Sequence, residues 1–291
     1  MSALFAQFLG GLTTAMFLFL IASGLSLVFG VMRVLNFAHG SFYMIGAYLA
    51  WQIVQWLAPV VGSFWLAVLG AALGVALLGG IVERLLLRFL YGREELYQLL
   101  FTYALVLILG DAVKASWGTQ QLSVSTPPVL AGGLEVLGTT LPRYNLFIII
   151  IGPAIALAVW LLLTRSTAGR MVRAAALDRE MLGALGANVG AIYTGMFVVS
   201  SFLAGLSGAL VTPIQSVVPG MDVSIIVDAF IVVVIGGLGS FWGTFWGSVI
   251  YGQVLSFGIL IFPGFSLFAV FALMAVILIV RPWGLFGKPI R

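Results

Sequence analysis

The polar side chains best able to do chemistry in this chain lie together in one short stretch. Asn36, His39 and Ser41 fall within residues 28–48, where apolar sequence flanks them on both sides, and His39 is the only histidine. An amide, an imidazole and a hydroxyl can bind a small polar solute, or they can satisfy one another and the backbone through hydrogen bonds. From the residues alone, both interpretations stay open.

Hydrolysis is the other chemistry that these residues suggest. Ser207, within Gly205-Leu-Ser-Gly208, could serve as a nucleophile with His39 as its base, but the G-x-S-x-G pattern is absent. The chain has no cysteine, which excludes disulfides and thiol catalysis. A single histidine makes a zinc site unexpected, and no G-x-x-x-x-G-K-[ST] motif for nucleotide binding occurs.

The composition indicates that the polar stretch lies within a membrane protein. Of the 291 residues, 62% are hydrophobic and 8% charged, with a mean hydropathy of +1.21, whereas soluble domains carry about 25% charged residues. At about 20 residues per span, the chain has room for about eight or nine transmembrane helices. The sequence predicts an all-α, polytopic membrane protein with one transmembrane domain over residues 1–291. The net charge of +4 is interpreted as the basic bias of cytoplasmic loops, not as a nucleic-acid surface.

Two interruptions are predicted within the helical bundle, near residues 31–40 and 235–243. Both are rich in glycine, and His39-Gly-Ser-Phe42 resembles Leu238-Gly-Ser-Phe241, which suggests an internal repeat. Non-helical backbone at membrane depth is tolerated only where it is buried in protein or lines a watery cavity, and paired interruptions mark the solute sites of transporters. We therefore expect these breaks to line a translocation path. Its candidate residues are Asn36, Phe37, His39, Ser41, Gly236, Gly237, Gly239 and Ser240.

A second informative stretch is the basic segment 165–190, which holds four of the thirteen basic residues. Basic loops mark the cytoplasmic side, and neither helical run in this segment is long enough to span a membrane. We predict two short surface helices joined at Asp178, which either dock a partner protein or simply carry unpaired positive charge. The candidate docking residues are Arg165, Arg170, Arg173, Asp178, Arg179, Glu180 and Gly186.

The loops on the opposite side are predicted to be short. Alternation in 120–125 and 133–137 allows a hairpin between these two runs. Residues 214–223, which include Asp222, are interpreted as a loop. Basic residues at the end of the chain, Arg281, Lys288 and Arg291, predict a cytoplasmic C-terminus.

Three blocks resemble a known family. The run Gly24-Leu-Ser-Leu-Val-Phe-Gly-Val-Met-Arg-Val-Leu-Asn-Phe-Ala-His-Gly40 resembles the signature of the permease subunit of branched-chain amino acid ABC importers, the LivH type. Thr164–Ala174 is similar to the family's cytoplasmic loop, and Asp228–Ser240 to its late glycine-rich element. The resemblance covers nearly the whole chain in the expected order. Residues 174–178 (Ala-Ala-Ala-Leu-Asp) depart from it, since a more polar segment is expected there.

The resemblance implies a non-catalytic permease subunit in the bacterial inner membrane, surrounded by lipid. It implies three kinds of partner: a second, LivM-like permease, two LivF/LivG-like ATPase subunits, and a periplasmic protein that delivers the solute. ATP and Mg would bind the ATPases, and no cofactor or metal is expected on this chain. Segment 165–190 would dock an ATPase.

The solute itself stays open. Branched-chain or related amino acids are expected from the resemblance, but similar permeases import urea, short amides or aromatic acids. A secondary transporter is the runner-up. It needs ion-coupling carboxylates within its spans, for which only Asp228 and Asp111 qualify.

Overall fold

The computed structural model describes residues 2–58, 60, 62–136, 139–261 and 263–287. The helices of the first half are α1 (Ser2–Met32), α2 (His39–Trp56), α3 (Ser63–Leu85) and α4 (Glu95–Trp117). Those that follow are α5 (Arg143–Arg165), α6 (Thr167–Leu177), α7 (Arg179–Ala184), α8 (Val189–Val211), α9 (Met221–Gly236), α10 (Phe241–Ile261) and α11 (Ser266–Val280). Short 3-10 helices occur at Leu87–Leu90, Pro128–Leu130 and Pro263–Phe265, and two strands are β1 (Gly133–Val136) and β2 (Thr139–Pro142).

In the part of the chain that the structure describes, seven helices are long and apolar enough to cross a membrane. They are Leu4–Met32 of α1, then α3, α4, α5, α8, α10 and the stretch Pro263–Val280 that contains α11. The predicted all-α, polytopic architecture is confirmed. The expected count of about eight included α2, which runs for 18 residues and holds His39 and Ser41 in its first turn.

The centre of the bundle is α1, which contacts α5, α8, α9 and α10. The side chains from Ala15 to Val28 are buried, and this run is apolar except for Ser23 and Ser26. A helix that is hydrophobic all round is buried in protein or spans a membrane, and the burial of this run places it among the other helices.

Glycines let the helices around α1 approach closely. An ideal Cβ placed on Gly46 of α2 would lie 2.5 Å from the carbonyl oxygen of Gly205 on α8. One placed on Gly110 of α4 would meet no atom within 4 Å. Small residues of this kind allow the close backbone packing typical of membrane helices.

Gly46→Ala is therefore expected to destabilise the fold by about 1–3 kcal/mol, the usual cost of overfilling a packed site. The measurement is the Tm of the purified protein in detergent. Gly110→Ala is the matched control, and its Tm should stay unchanged or rise because alanine favours helix by about 1 kcal/mol over glycine. Equal Tm values for the two variants would contradict the packing described.

Both predicted breaks are present. α1 continues to Met32, residues 33–38 are not helical, and α2 begins at His39. α9 ends at Gly236 and α10 begins at Phe241. Arg33, the first residue of the first break, has a φ of 53°, the one positive value at a non-glycine residue in the described chain.

Two predictions about the loops were wrong. β1 pairs antiparallel with β2 and not with residues 120–125, since the adjacent run closes a shorter loop. Leu122 forms instead an isolated antiparallel bridge with Val217. Asp222 lies in the first turn of α9 and is buried, not in a loop. Leu137 of the predicted hairpin, and Lys288 and Arg291, lie outside the described residues.

Candidate functional site

The first break folds back into the bundle. His39 Nε2 lies 2.9 Å from the carbonyl oxygen of Ile21, so the ring donates this hydrogen bond. Ile21 precedes the end of α1 at Met32 by 11 residues, which is about 16 Å along a helix that rises 1.5 Å per residue. α2 therefore begins deep between the other helices, and residues 33–38 connect this depth with the end of α1.

The His39 ring also lies between helices in this structure. Its Nδ1 is 3.5 Å from Ser200 Oγ on α8, and Gly24 of α1 leaves the space that the ring occupies. As placed, the imidazole holds α1, α2 and α8 together. Contact between this ring and a solute requires these helices to move.

Asn36 is the polar residue of the break whose side chain lacks partners. It is 1% exposed, and neither Nδ2 nor Oδ1 has a hydrogen-bond partner among the described residues. The next residue, Phe37, packs its ring against Phe230 of α9 with centroids 5.1 Å apart. A buried amide without partners costs about 1–3 kcal/mol, so this group is available to water or to a solute.

Ser41, in the first turn of α2, bonds to an acid that the sequence analysis placed in a loop. Its hydroxyl donates to Asp222 Oδ2 at 2.9 Å, and both residues are buried. The contact joins the N-terminal turns of α2 and α9.

The second break is held by backbone and by the C-terminal segment. Gly237 and Gly239 have φ values of 105° and 78°, which favour glycine. The Gly236 carbonyl accepts the Phe286 N–H at 3.0 Å. Ser240 Oγ accepts the Gly243 N–H at 3.1 Å and so caps α10.

The two breaks meet at one end of the bundle. An ideal Cβ on Gly239 would lie 2.8 Å from the Cα of Gly30, two residues before α1 ends. A cleft of about 680 Å³ opens here, lined by residues of both breaks and of the C-terminal segment, among them Arg33, Leu238 and Trp283. Within the second break, Leu238 lines this cleft, whereas Gly236 and Gly237 are buried and Gly239 and Ser240 lie just after Leu238 in the chain. Asn36, His39 and Ser41 are buried and do not line the cleft.

Segment 165–190 forms two short helices joined at Asp178, as predicted. Asp178 Oδ1 accepts the N–H groups of Glu180 at 3.0 Å and Met181 at 2.9 Å, so this carboxylate caps α7. Gly186, with a φ of 85°, follows the end of α7. We call α6 and α7 together the platform.

The platform exposes apolar and charged side chains side by side. Leu177, Met181 and Leu185 are 88%, 59% and 78% exposed. The charged residues exposed around them are Arg165, Arg170, Arg173, Asp178, Arg179 and Glu180. Arg173 also donates to the Leu163 carbonyl at the end of α5, which fastens α6 to that helix. Exposed apolar side chains among charges are typical of a protein-binding surface.

A cleft of about 400 Å³ lies between the platform and the first break. Arg33 of the break and Asp178 and Arg179 of the platform line it. Arg93, from the segment before α4, and Glu95, the first residue of α4, complete the charged lining. The platform is therefore next to the residues where α1 ends.

Tyr91, which lines this cleft, is bonded to a buried acid. Glu83 lies inside α3 and is fully buried. Tyr91 donates its hydroxyl to Glu83 Oε1 at 2.7 Å. Burial, and then the bond to this carboxylate, raise the pKa of Tyr91 above its usual range, so it stays a donor. Oε2 of Glu83 has no partner among the described residues.

Tyr91→Phe is expected to destabilise the protein by about 1–3 kcal/mol, because it leaves a buried carboxylate without its donor. The readout is Tm in detergent. Adding Glu83→Gln to that variant should restore part of the loss, since the amide carries no charge. Tyr97→Phe, at an exposed ring of α4, is the control. A Tyr91→Phe protein as stable as this control would contradict the proposed bond.

A known protein family matches the part of the chain that contains both breaks and the platform. Residues 7–280 match the family described as "Branched-chain amino acid transport system / permease component". The chain belongs to this family. It is thus a multi-pass, non-catalytic membrane permease of an ABC importer, and such a permease works with ATPase subunits and a binding protein.

Individual relatives of this permease cover almost its full length. The branched-chain amino acid permease protein BraD of Pseudomonas aeruginosa is 30% identical, covering 97% of this chain and 95% of the relative. LivH of Escherichia coli K12 is 29% identical with the same coverage. A probable LivH of Methanocaldococcus jannaschii is 25% identical over 84% of this chain and 77% of its own. Among solved structures, PsaBC from Streptococcus pneumoniae matches with a TM-score of 0.45 and 12% identity, covering 93% of the permease and 89% of that chain.

Sequence reasoning missed two buried acids of this permease. Asp222 follows Pro219 and Gly220, and these residues directed the interpretation to a loop. The available signal was an acid just after a glycine and before an apolar run, which is typical of a helix N-terminus. For Glu83 there was no signal, because its donor Tyr91 belongs to the following segment.

Proposed function

We propose that this chain imports branched-chain or related amino acids as one of two permeases in a bacterial inner-membrane ABC importer. A LivM-like chain would be the second permease, two LivF/LivG-like subunits would hydrolyse ATP, and a periplasmic protein would deliver the solute. The curated relatives are named as branched-chain amino acid permeases, and this supports the choice of solute. ATP and Mg would bind the ATPases, and this chain would bind no cofactor of its own.

The observation that carries the proposal is the meeting of the two breaks beside Gly30, next to the platform. Unwound backbone within a helical bundle is where transporters handle solute, and the platform lies across a cleft from Arg33 of the first break. The path would run from the buried residues Asn36, His39 and Ser41 to the glycines of the second break.

The distribution of charge supports the orientation. Nine arginines occur at the platform end of the bundle: Arg33, Arg84, Arg88, Arg93, Arg165, Arg170, Arg173, Arg179 and Arg281. The opposite end carries Lys114 and Arg143. By the positive-inside rule, the platform and the C-terminus face the cytoplasm, where the ATPases would bind.

The mechanism we infer is mechanical. Closure of the ATPases on ATP would displace the platform, and α5 and α8, which are joined to it directly, would move with it. Arg33 lines both clefts, so this motion would reach the first break through the residues around it. Opening and closing of the breaks would then expose the solute to one side at a time.

The experiment is purification of the tagged chain, expressed with the genes beside its own, followed by identification of the proteins that come with it. Two ATPases and a second permease in fixed ratio support the proposal. ATP hydrolysis stimulated by the binding protein with leucine, isoleucine or valine would identify the solute. Stimulation by urea, amides or aromatic acids alone would assign a related importer instead. A chain that purifies alone and moves solute in vesicles would be a secondary transporter.

A further inference from the structure

The N-terminal turns of α2 and α9 meet inside the bundle. Ser41 Oγ donates to Asp222 Oδ2 at 2.9 Å, and an ideal Cβ on Gly40 would lie 2.5 Å from the Asp222 carbonyl oxygen. Ser41 is fully buried and Asp222 is 3% exposed. The bond between His39 and Ile21 places this junction well inside the end of α1.

The first turn of α2 offers unused donors at this junction. The N–H groups of Gly40 and Ser41 precede any acceptor within their helix, and neither bonds to a backbone carbonyl of the described chain outside it. The positive end of a helix dipole favours a carboxylate. Asn36, whose buried amide lacks partners among the described residues, lies in the turn that leads into α2, since its carbonyl accepts the His39 N–H at 3.3 Å.

The junction also carries an acid without a counter-charge. Oδ1 of Asp222 accepts no hydrogen bond from the residues described here. α1, α2, α8, α9 and α10 contain no lysine or arginine in their sequences. A buried carboxylate is costly unless it is paired, and an ionisable residue inside a membrane points to a functional site.

We propose that this junction binds the zwitterionic end of the solute. The Asp222 carboxylate takes the solute's ammonium group, and the N–H groups of Gly40 and Ser41 take its carboxylate. The inference rests on the proposed import of amino acids and deepens it by naming the residues that recognise the charged end. The two helix N-termini touch in this structure, so the solute enters as they separate and replaces the bond between Ser41 and Asp222.

Three variants separate a binding role from a structural one. Asp222→Asn keeps the size and can still accept the Ser41 bond, but it loses the charge. Ser41→Ala loses the bond and keeps the charge. Asp228→Asn is the matched control, because this second acid of α9 accepts its hydrogen bond from Tyr251 of α10 at 2.7 Å and not from Ser41.

The assay is ATP-driven uptake of labelled leucine by the complete importer in proteoliposomes, with the unaltered binding protein. We expect Asp222→Asn to reduce uptake more than about tenfold, because truncating a buried charge contact has an effect of this size. Ser41→Ala and Asp228→Asn should each reduce uptake less than about threefold, as expected for loss of one hydrogen bond. Asp222→Glu, which keeps the charge, should retain more uptake than Asp222→Asn at equal Tm.

Two results would overturn the inference. One is a Ser41→Ala importer that fails while Asp222→Asn works, which would make the contact purely structural. The other is equal loss in Asp222→Asn and Asp228→Asn. An unaltered importer that takes up no amino acid would instead refute the proposed function, so the two failures are distinguishable.

Discussion

Arg170→Glu and Arg179→Glu together are expected to abolish recovery of the ATPase subunits with this chain. Both guanidinium groups are exposed on the platform and neither forms a salt bridge in the described structure. Placing like charge in an interface costs several kcal/mol, and each 1.4 kcal/mol weakens binding tenfold. A loss of at least about 100-fold in affinity follows, measured as the ATPase-to-permease ratio after purification.

The matched control reverses two charges at the other end of the bundle. Lys114→Glu and Arg143→Glu change the net charge equally, yet both residues lie away from the platform. This protein should retain its ATPases in full. Arg173 is left unaltered because its bond to the Leu163 carbonyl supports the fold. ATPases that still purify with the platform variant would exclude the platform as their docking site.

Gly239→Ala is expected to reduce solute uptake more than about tenfold while the ATPases remain bound. A side chain at a φ of 78° costs about 1–2 kcal/mol, and its Cβ would lie 2.8 Å from the Gly30 Cα. The second break must then move away from α1. The measurement is uptake by the reconstituted importer, normalised to ATPase content.

Gly132→Ala is the control for the cost of placing a side chain at a positive φ, without a steric contact. Gly132 has a φ of 84°, and an added Cβ there would meet no atom within 4 Å. Uptake by this variant should stay near that of the unaltered protein. Equal uptake by the two alanine variants would mean that the contact between Gly30 and Gly239 has no role in transport.

Much of the fold was predictable because membrane helices are marked by local composition. The apolar runs that became α3, α5 and α8 needed no tertiary information, and glycine with polar residues marked both breaks. Asp178 and Gly186 were identifiable as the beginning and end of a helix, since capping depends on residues only a few positions apart.

Contacts between distant segments were not predictable in the same way. Ser41 and Asp222 are 181 positions apart and Gly30 and Gly239 are separated by a similar span, so only the packed bundle brings them together. His39-Gly-Ser-Phe42 and Leu238-Gly-Ser-Phe241 are alike in sequence but differ in backbone conformation. Gly40 lies within α2, whereas Gly239 precedes α10 with a positive φ.

The central claim is that the first break lines the solute path, and thiol accessibility at position 36 tests it most directly. The chain has no cysteine, so Asn36→Cys introduces its only thiol. Ile148→Cys, at a fully buried position of α5, is the control. We predict that a water-soluble maleimide labels position 36 only while the complete importer turns over with ATP, binding protein and solute, and that position 148 stays unlabelled. A thiol at position 36 that stays unlabelled throughout active transport would contradict the account.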